Sequence, residues 1–472
     1  MNLPKAFISR TQDLLKDEYP AFERALYEES PISVRLNPSK APGILNKSKQ
    51  VPWSINGFYL DKRPNFTFDP LFHAGVYYVQ EASSMFLGHV IQQYIKTPVR
   101  YLDLCAAPGG KTTDAISTLP EGSLIVSNEI LKNRAHVLVE NAIKWGNSHC
   151  IVTNNSAEDF SFFKNYFDVI LTDVPCSGEG MFRKDADAIN EWSTANVQKC
   201  VERQKKILRH IWEALRPGGL LIYSTCTYNV EEDEEMIEFL HQNYAAEILP
   251  VETLPDWYIK KAIKGNFPVY RFMPHMTKGE GFFMAVVRKP ETSEKRHENS
   301  FSYDRHNYRK KTEKDSKISI LPEIKTWINH PETFYIWTSS DRIQAFPLHY
   351  KDDLWLLSSR LNILHSGIPL CYLRGKDYIP EHALATSLEL NRNAFYCIEI
   401  SHSTAITYLK RESIQISGNI PRGHILVTYQ NIPLGWIKNI GNRTNNLYPQ
   451  EWRIRSKHLP DKLINIPWIK KQ

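Results

Sequence analysis

The stretch Tyr101–Thr113, YLDLCAAPGGKTT, decides how the chain reads. Its apolar start, Tyr101–Leu104, ends in small residues and passes straight into a helical segment, which predicts a strand, a tight loop and a helix start. Gly109 and Gly110 let backbone approach a ligand closely, and the first helical amides present a positive dipole end to it. About twenty residues on, a second strand, Ser123–Ser127, ends in Asn128-Glu129, where an acidic side chain can hold the two hydroxyls of a ribose. The pattern predicts a nucleoside-cofactor site in a doubly wound α/β domain.

A P-loop is the sharper rival, because GGKTT resembles the end of GxxxxGK[ST]. Counting back from Lys111, the first glycine of that motif falls on Cys105, whose side chain obstructs the nest of amides a triphosphate requires. FDVILTD, Phe167–Asp173, would be the acidic strand of such an ATPase.

Working outward, 472 residues with 42% hydrophobic composition suffice for two to four domains. No apolar run follows the first residues and none approaches the length of a membrane span, so a protein that stays in the cytoplasm is expected. Seven cysteines without CxxC pairs predict no disulfide framework, and the scattered histidines predict no metal. The net charge is +6, with about −2 on residues 1–289, about +2 on 290–319 and about +6 on 320–472. A basic C-terminal third beside a neutral body suits a polyanionic partner.

Residues 1–95 read as an α+β unit. It has helices at Phe7–Leu15 and Ala21–Glu29, a short strand within Pro31–Pro38, and a helix opened by Tyr77–Met85 and running towards Tyr94. Its aromatics either stack on bases or pack against the next domain. Residues 96–289 alternate strand and helix. The five strands are Tyr101–Leu104, Leu124–Ser127, Cys150–Val152, Val169–Thr172 and Leu220–Ser224, with an amphipathic helix Asn196–Leu215 and a closing hairpin, Val269–Met273 and Phe282–Val287. Cys200 is expected in the core stripe of that helix. Residues 290–319 are charged and nearly free of aliphatic side chains, as a flexible linker is. In 320–418, Ile343–Pro347 and Leu354–Leu356 read as strands and His382–Leu390 as a helix; 419–472 reads as a small β module with two strands around a turn and a basic tail.

Chemistry in a parallel sheet sits beyond the carboxyl ends of its strands. Two cysteines fall there: Cys176 after strand four, three residues past Asp173, and Cys226 after strand five. This arrangement suits methyl transfer to a pyrimidine carbon. A thiolate adding to C6 makes C5 nucleophilic towards the methyl of S-adenosylmethionine, and a carboxyl such as Asp173 assists at ring N3. Such a target base must leave its stack, which points to loop or single-stranded RNA. Residue types alone do not say which cysteine attacks. The acidic run Glu231–Glu235 reads as the first turn of a helix, with Asn229 as cap and Glu232 completing a box.

The chain resembles the NOP/Sun family of RNA cytosine-C5 methyltransferases through LDLCAAPGGKT, the SNE at 127–129, DVPCSGEGMFRKD and YSTCTYNVEEDEE. RLNP and YYVQEASSM before these motifs, and LRGKDYIPEHALATSLEL and HILVTYQNIPLGWIKNI after them, resemble the bacterial RsmF type. The resemblance implies a Rossmann-like S-adenosylmethionine-dependent methyltransferase domain between an N-terminal RNA-binding unit and PUA-like β-rich modules. It implies cofactor contacts from Cys105, Ala106, Ala107, Pro108, Gly109, Gly110 and Lys111, ribose binding by Glu129, and a cofactor and base role for Asp173. It further implies Cys226 as nucleophile, Cys176 in product release and a part for Lys111 in catalysis. One departure is visible: where the family often has an aspartate for the adenine amino group, this chain has Ser156, with Asp159 three residues on as a possible substitute. The implied substrate is small-subunit rRNA, with tRNA as the alternative, and the implied state is a monomer. A P-loop ATPase and a non-catalytic RNA-binding assembly factor are the readings from other classes.

Overall fold

The computed structural model describes residues 2–41, 43–291, 320–416, 418, 420–456 and 466–470. The expected linker, from its third residue on, lies outside the described residues.

Eight strands of residues 96–289 form one sheet: β1 (Arg100–Asp103), β2 (Leu124–Asn128), β3 (Cys150–Thr153), β4 (Phe167–Asp173), β5 (Leu215–Thr225), β6 (Glu247–Leu249), β7 (Tyr270–Phe272) and β8 (Phe282–Arg288). Their order is β6-β8-β5-β4-β1-β2-β3, with β7 on β8. Strands β1 to β5 run parallel, and β8 runs antiparallel to β5. The expected hairpin forms, with Tyr270 opposite Met284. Every residue of β2 and β3 is buried, as sheets covered on both faces require. Strand order reverses at β1, which has β2 on one side and β4 on the other. A crevice therefore opens beyond the carboxyl ends of these strands.

The long helix is Thr194–Ala214, capped by Ser193, whose hydroxyl accepts from the Asn196 amide at 3.1 Å. Val197, Val201, Leu208 and Ile211 face the sheet, and Cys200 is buried among them.

In the N-terminal unit, helices Lys5–Leu15 and Tyr19–Leu26 precede a three-stranded sheet ordered Gly57–Leu60, Ile32–Leu36, Tyr77–Val79. The helix expected from Tyr77 starts only at Phe86. Tyr77-Tyr78-Val79 instead pairs antiparallel with Val34-Arg35-Leu36, since aromatic and β-branched residues take a strand when one is offered. Tyr77 packs rather than stacks on bases: it is buried and its hydroxyl donates to Asp69 at 2.8 Å. Arg35, fully buried, ties this unit to helix Gly110–Thr118. Its Nε donates to Gln80 at 2.6 Å and its Nη2 to Thr113 Oγ1 at 2.5 Å, with its plane over the Trp145 ring.

The C-terminal part builds two four-stranded sheets. The first holds Phe334–Ser339, Arg342–Pro347, Ile368–Arg374 and Asp377–Pro380. The second holds Tyr396–Glu399, Gly423–Tyr429, Ile432–Asn439 and Thr444–Asn446 and contains the two strands expected around the 430 turn. Leu354–Leu356 is not a strand but part of helix Lys351–Ser358, where Asp352 and Asp353 favour the first turn and Leu354 and Leu357 share the buried face. The helix at His382 stops at Thr386, whose carbonyl accepts from Lys40 Nζ at 2.6 Å instead of continuing the ladder. One segment leaves its own neighbourhood: Ile363–Ser366 pairs antiparallel with β3 and extends the eight-stranded sheet.

Candidate active site

The loop after β1 is held by backbone. The Ala106 amide donates to the Asn128 carbonyl at 2.8 Å and the Gly109 amide to the Ala106 carbonyl at 2.8 Å. Arg134 Nη2 caps the Ala107 carbonyl at 2.6 Å and Asn141 Nδ2 the Pro108 carbonyl at 2.8 Å. Gly109 lies at φ +112° just before helix Gly110–Thr118, and a Cβ there would stand 3.2 Å from Leu138. Only glycine accepts both conditions. At the foot of the loop Thr112 Oγ1 donates to Asp103 Oδ2 at 2.7 Å, while Asp103 Oδ1 is buried without a partner. Burial pushes the Asp103 carboxyl up to about 7, against the pull of the Thr112 hydrogen bond.

Glu129, 3% exposed, follows β2. Its Oε1 accepts from the Leu131 amide at 2.9 Å, and Arg134 Nη1 stands 3.5 Å from Oε2. After β3, Ser156 caps the short helix Ala157–Phe160. Both its amide and its hydroxyl donate to Asp159 Oδ2 at 2.9 Å.

Strands β4 and β5 deliver the sulfurs. The Val174 amide donates to the Ser224 carbonyl at 3.1 Å, so the two chains stay paired to the ends of the strands. There Cys176 Sγ and Cys226 Sγ lie 3.3 Å apart, both half-buried and not in a disulfide. Hydrogen bonding to Cys226 together with burial pushes the Cys176 thiol well up. Cys105, in the loop below, is likewise raised by burial, with Asp103 and Asp173 adding to it. Asp173 is held on both oxygens, by Lys111 Nζ at 2.9 Å and by Ser224 Oγ at 2.7 Å. Burial pulls the Lys111 ammonium down, but Asp173, Cys226 and Asp103 outweigh it and its pKa ends raised. Its Nζ sits 4.9 Å from the Phe282 ring centre. The residues anticipated from Cys105 to Lys111, with Glu129, Asp173, Cys176 and Cys226, thus converge at the carboxyl ends of β1, β2, β4 and β5, and Ser156 follows β3.

Other features escaped sequence reasoning. Ser224 gives no sign in the sequence that it bonds Asp173. The acidic run is not an exposed first turn: Glu232, Asp233 and Glu234 are buried, and the helix runs Glu234–Tyr244. Asn229 Oδ1 does accept from the Glu232 amide at 2.8 Å, but this closes a turn before the helix begins. Glu234 takes both Nε (2.8 Å) and Nη2 of Arg271, and Arg271 Nη1 also donates to the Tyr228 carbonyl at 2.9 Å, bracing the loop after Cys226. Thr225, the residue before Cys226, donates to Asp233 at 2.5 Å. A lone arginine in the otherwise apolar β7 is the one sequence signal of this cluster. Among the described residues no group of His, Cys, Asp and Glu is placed to hold a metal, and no helix is long and apolar enough to cross a membrane.

The reversed strand order, the glycine loop and the paired sulfurs define a Rossmann-like methyltransferase fold. Residues 95–288 match the family model described as 16S rRNA methyltransferase RsmB/F. Residues 3–82 match the N-terminal domain of 16S rRNA methyltransferase RsmF, and 395–454 the methyltransferase RsmF PUA domain. The ribosomal RNA small subunit methyltransferase F of Escherichia coli (strain K12) is 31% identical over 85% of this chain and 84% of its own length. Its namesake from Erwinia tasmaniensis is 28% identical over 95% and 96%. Among solved structures, a methyltransferase homolog protein from Pyrococcus horikoshii superposes with a TM-score of 0.52, at 27% identity over 61% of this chain and 95% of that one. NSun6 from the same organism, crystallised with SFG, shares the fold at a TM-score of 0.52 and 20% identity, over 61% and 99%. The chain belongs to the RsmF branch of the 16S rRNA methyltransferase RsmB/F family.

Proposed function

We propose that this protein methylates C5 of a cytosine in small-subunit rRNA, with S-adenosylmethionine as donor and Cys226 as the attacking sulfur. The observation that carries the reading is the sulfur pair 3.3 Å apart at adjacent strand ends, beside the Lys111–Asp173 ion pair.

The crevice suits the donor. Loop Cys105–Lys111 offers close backbone approach at Gly109, buried Glu129 suits ribose hydroxyls, and the orphaned Asp103 Oδ1 calls for a cationic donor such as an amino acid's ammonium. Ser156 spends its hydroxyl hydrogen on the Asp159 carboxylate and one lone pair on the Asp159 amide, which leaves one lone pair to accept from an adenine amino group. Asp159 Oδ2 already accepts from Ser156 and from Asn155, so Asp159 would meet the amino group through Oδ1 alone. When bound, S-adenosylmethionine supplies an electrophilic methyl group.

Cys226 Sγ adds to C6 of the cytosine, and the C5=C6 electron pair moves into the ring, giving C5 the nucleophilicity it lacks. A hydrogen bond or proton at ring N3 lowers the cost of this addition, and the Lys111–Asp173 pair supplies it. Loss of the C5 proton to a base then re-forms C5=C6 and expels the sulfur, with Cys176 assisting release. The PUA-matching segment and the basic excess of residues 320–472 support docking on structured RNA. The enzyme would act in the cytoplasm as a monomer without a metal.

Cys226→Ala should abolish methyl transfer and form no RNA adduct, whereas Cys176→Ala should accumulate a denaturation-resistant protein–RNA complex. Exchanged phenotypes would move the attacking role to Cys176. Bisulfite mapping of a deletion strain should show one methylcytosine lost from 16S rRNA; a loss from tRNA instead would overturn the substrate.

A further inference from the structure

Two sulfurs 3.3 Å apart can share a proton but cannot both ionise at neutral pH. Their charged neighbours differ. Beside Cys176, the Ser177 amide donates to both oxygens of Glu232, at 3.0 and 3.3 Å. Glu232 is wholly buried and takes two further N–H donors, Gln204 Nε2 and Asn229 Nδ2, each at 2.8 Å. Every partner of its carboxyl is a donor, the pattern that satisfies the anion; burial pushes the carboxyl above its ordinary value, and the bonds from Ser177 and Asn229 pull it back. Gln204 Nε2 also donates to the Pro175 carbonyl at 3.1 Å, so the segment carrying Cys176 is fixed against this charge.

Cys226 has the Lys111 ammonium as its charged neighbour, and that ammonium is itself anchored on Asp173. The other ionisable groups near the pair do not reverse the contrast. Tyr223, behind Cys176, spends its hydroxyl on Gln204 and on the Glu232 carbonyl. Tyr228, beside Cys226, is held far above its ordinary value by burial and stays neutral. Glu179 is paired with Arg10.

We infer that Glu232 is a positioning residue that keeps the shared proton on Cys176 and thereby makes Cys226 the sulfur that ionises. Cys226 gives its proton to solvent, and Cys176 retains its S–H and donates it to the Cys226 thiolate. The inference rests on the reading of Cys226 as the attacking group, and it supplies the reason why two equivalent side chains take different parts. The raised Cys176 thiol, with Glu232 among its causes, agrees.

The test is iodoacetamide labelling of the full chain across pH, each cysteine quantified by peptide mass spectrometry. In the unsubstituted protein Cys226 should label at lower pH than Cys176; the reverse order overturns the inference. Cys176 is then isolated by Cys226→Ala. Adding Glu232→Gln, which removes the charge and keeps the shape, should lower the apparent pKa of Cys176 by about one unit, read as about tenfold faster labelling near pH 7.5. Glu232→Asp in the same background keeps the charge and should restore slow labelling. An unchanged Cys176 profile in a folded Glu232→Gln protein refutes the role. Should that variant fail to fold, Glu232→Ala in the same background takes its place, with the same two outcomes. Neither RNA nor cofactor enters the measurement, so failure of the proposed methylation, seen as no adduct from any variant, is recorded separately.

Discussion

Arg271→Met tests the buried charge cluster behind the Cys226 loop. Arg271 is 1% exposed and Glu234 2%, with a bidentate contact between them and Asp233 Oδ2 3.1 Å from Nη1. A contact near 3 Å is worth about 5 kcal/mol at an effective dielectric of about 20, but desolvation offsets most of that, so the pair adds little net stability. Removing the guanidinium alone is different, because it strands a buried carboxylate beside Asp233, whose carboxyl burial already holds well above its ordinary value. The expected cost is about 3–5 kcal/mol. At a urea slope of about 2 kcal/mol per molar, the midpoint for the catalytic body falls by about 2 M. The deficit should depend on pH with a definite sign. In the variant the folded state binds the extra proton, so its stability falls as pH rises, and the gap from the parent is wider at pH 8 than at pH 5.5. Arg271→Met/Glu234→Gln should recover part of the loss. Urea titrations followed by near-ultraviolet circular dichroism at both pH values read all of this. A deficit under about 1 kcal/mol, or one equal at both pH values, would refute the account of a neutralised buried cluster.

Gly180→Ala should cost about 1–3 kcal/mol by overpacking and depress methyl transfer. The new Cβ would stand 2.5 Å from the Gly281 carbonyl oxygen and 3.0 Å from that of Cys226; thermal melts and initial rates check it. Lys40 carries an ammonium that donates to the carbonyls of Ala74, Lys144 and Thr386, at 3.2, 2.6 and 2.6 Å, and burial pulls it down to about 7. The unfolded chain then binds more protons between pH 7 and 10, so stability should rise across that window, and Lys40→Met should flatten the rise in urea titrations. Cutting the chain at residue 319 should make residues 1–319 prone to self-association, seen by size-exclusion chromatography. The cut bares the β3 edge that Ile363–Ser366 covers and leaves Arg100 and Tyr166 without Asp353, their partner at 2.7 and 2.6 Å.

What the sequence disclosed was local. YLDLCAAPGGKTT carries strand, loop and helix signals in contiguous residues, and the parallel strands are apolar runs between helices with a clear stripe, so the crevice and the residues at its strand ends could be read directly. Tyr77–Val79 was misread because its pairing partner, Val34–Leu36, lies some forty residues earlier and no periodicity points to it. The 231–235 acids were misread for a related reason. Five consecutive acids read as the first turn of a helix until an arginine about forty residues away, on β7, is brought among them. The same limit hid Ser224, whose bond to Asp173 exists only because β4 and β5 are neighbours.

The strand Ile363–Ser366 changes what the C-terminal modules are mechanically. An appendage swinging on a tether would search for RNA independently of the catalytic pocket. A segment paired antiparallel with β3, with one irregularity between Ile363 and His365, instead ties the module that carries it to the thiol-bearing sheet as a gauge of set span. On the proposed function, such a gauge would select a substrate by the distance between two of its features as well as by the identity of the base.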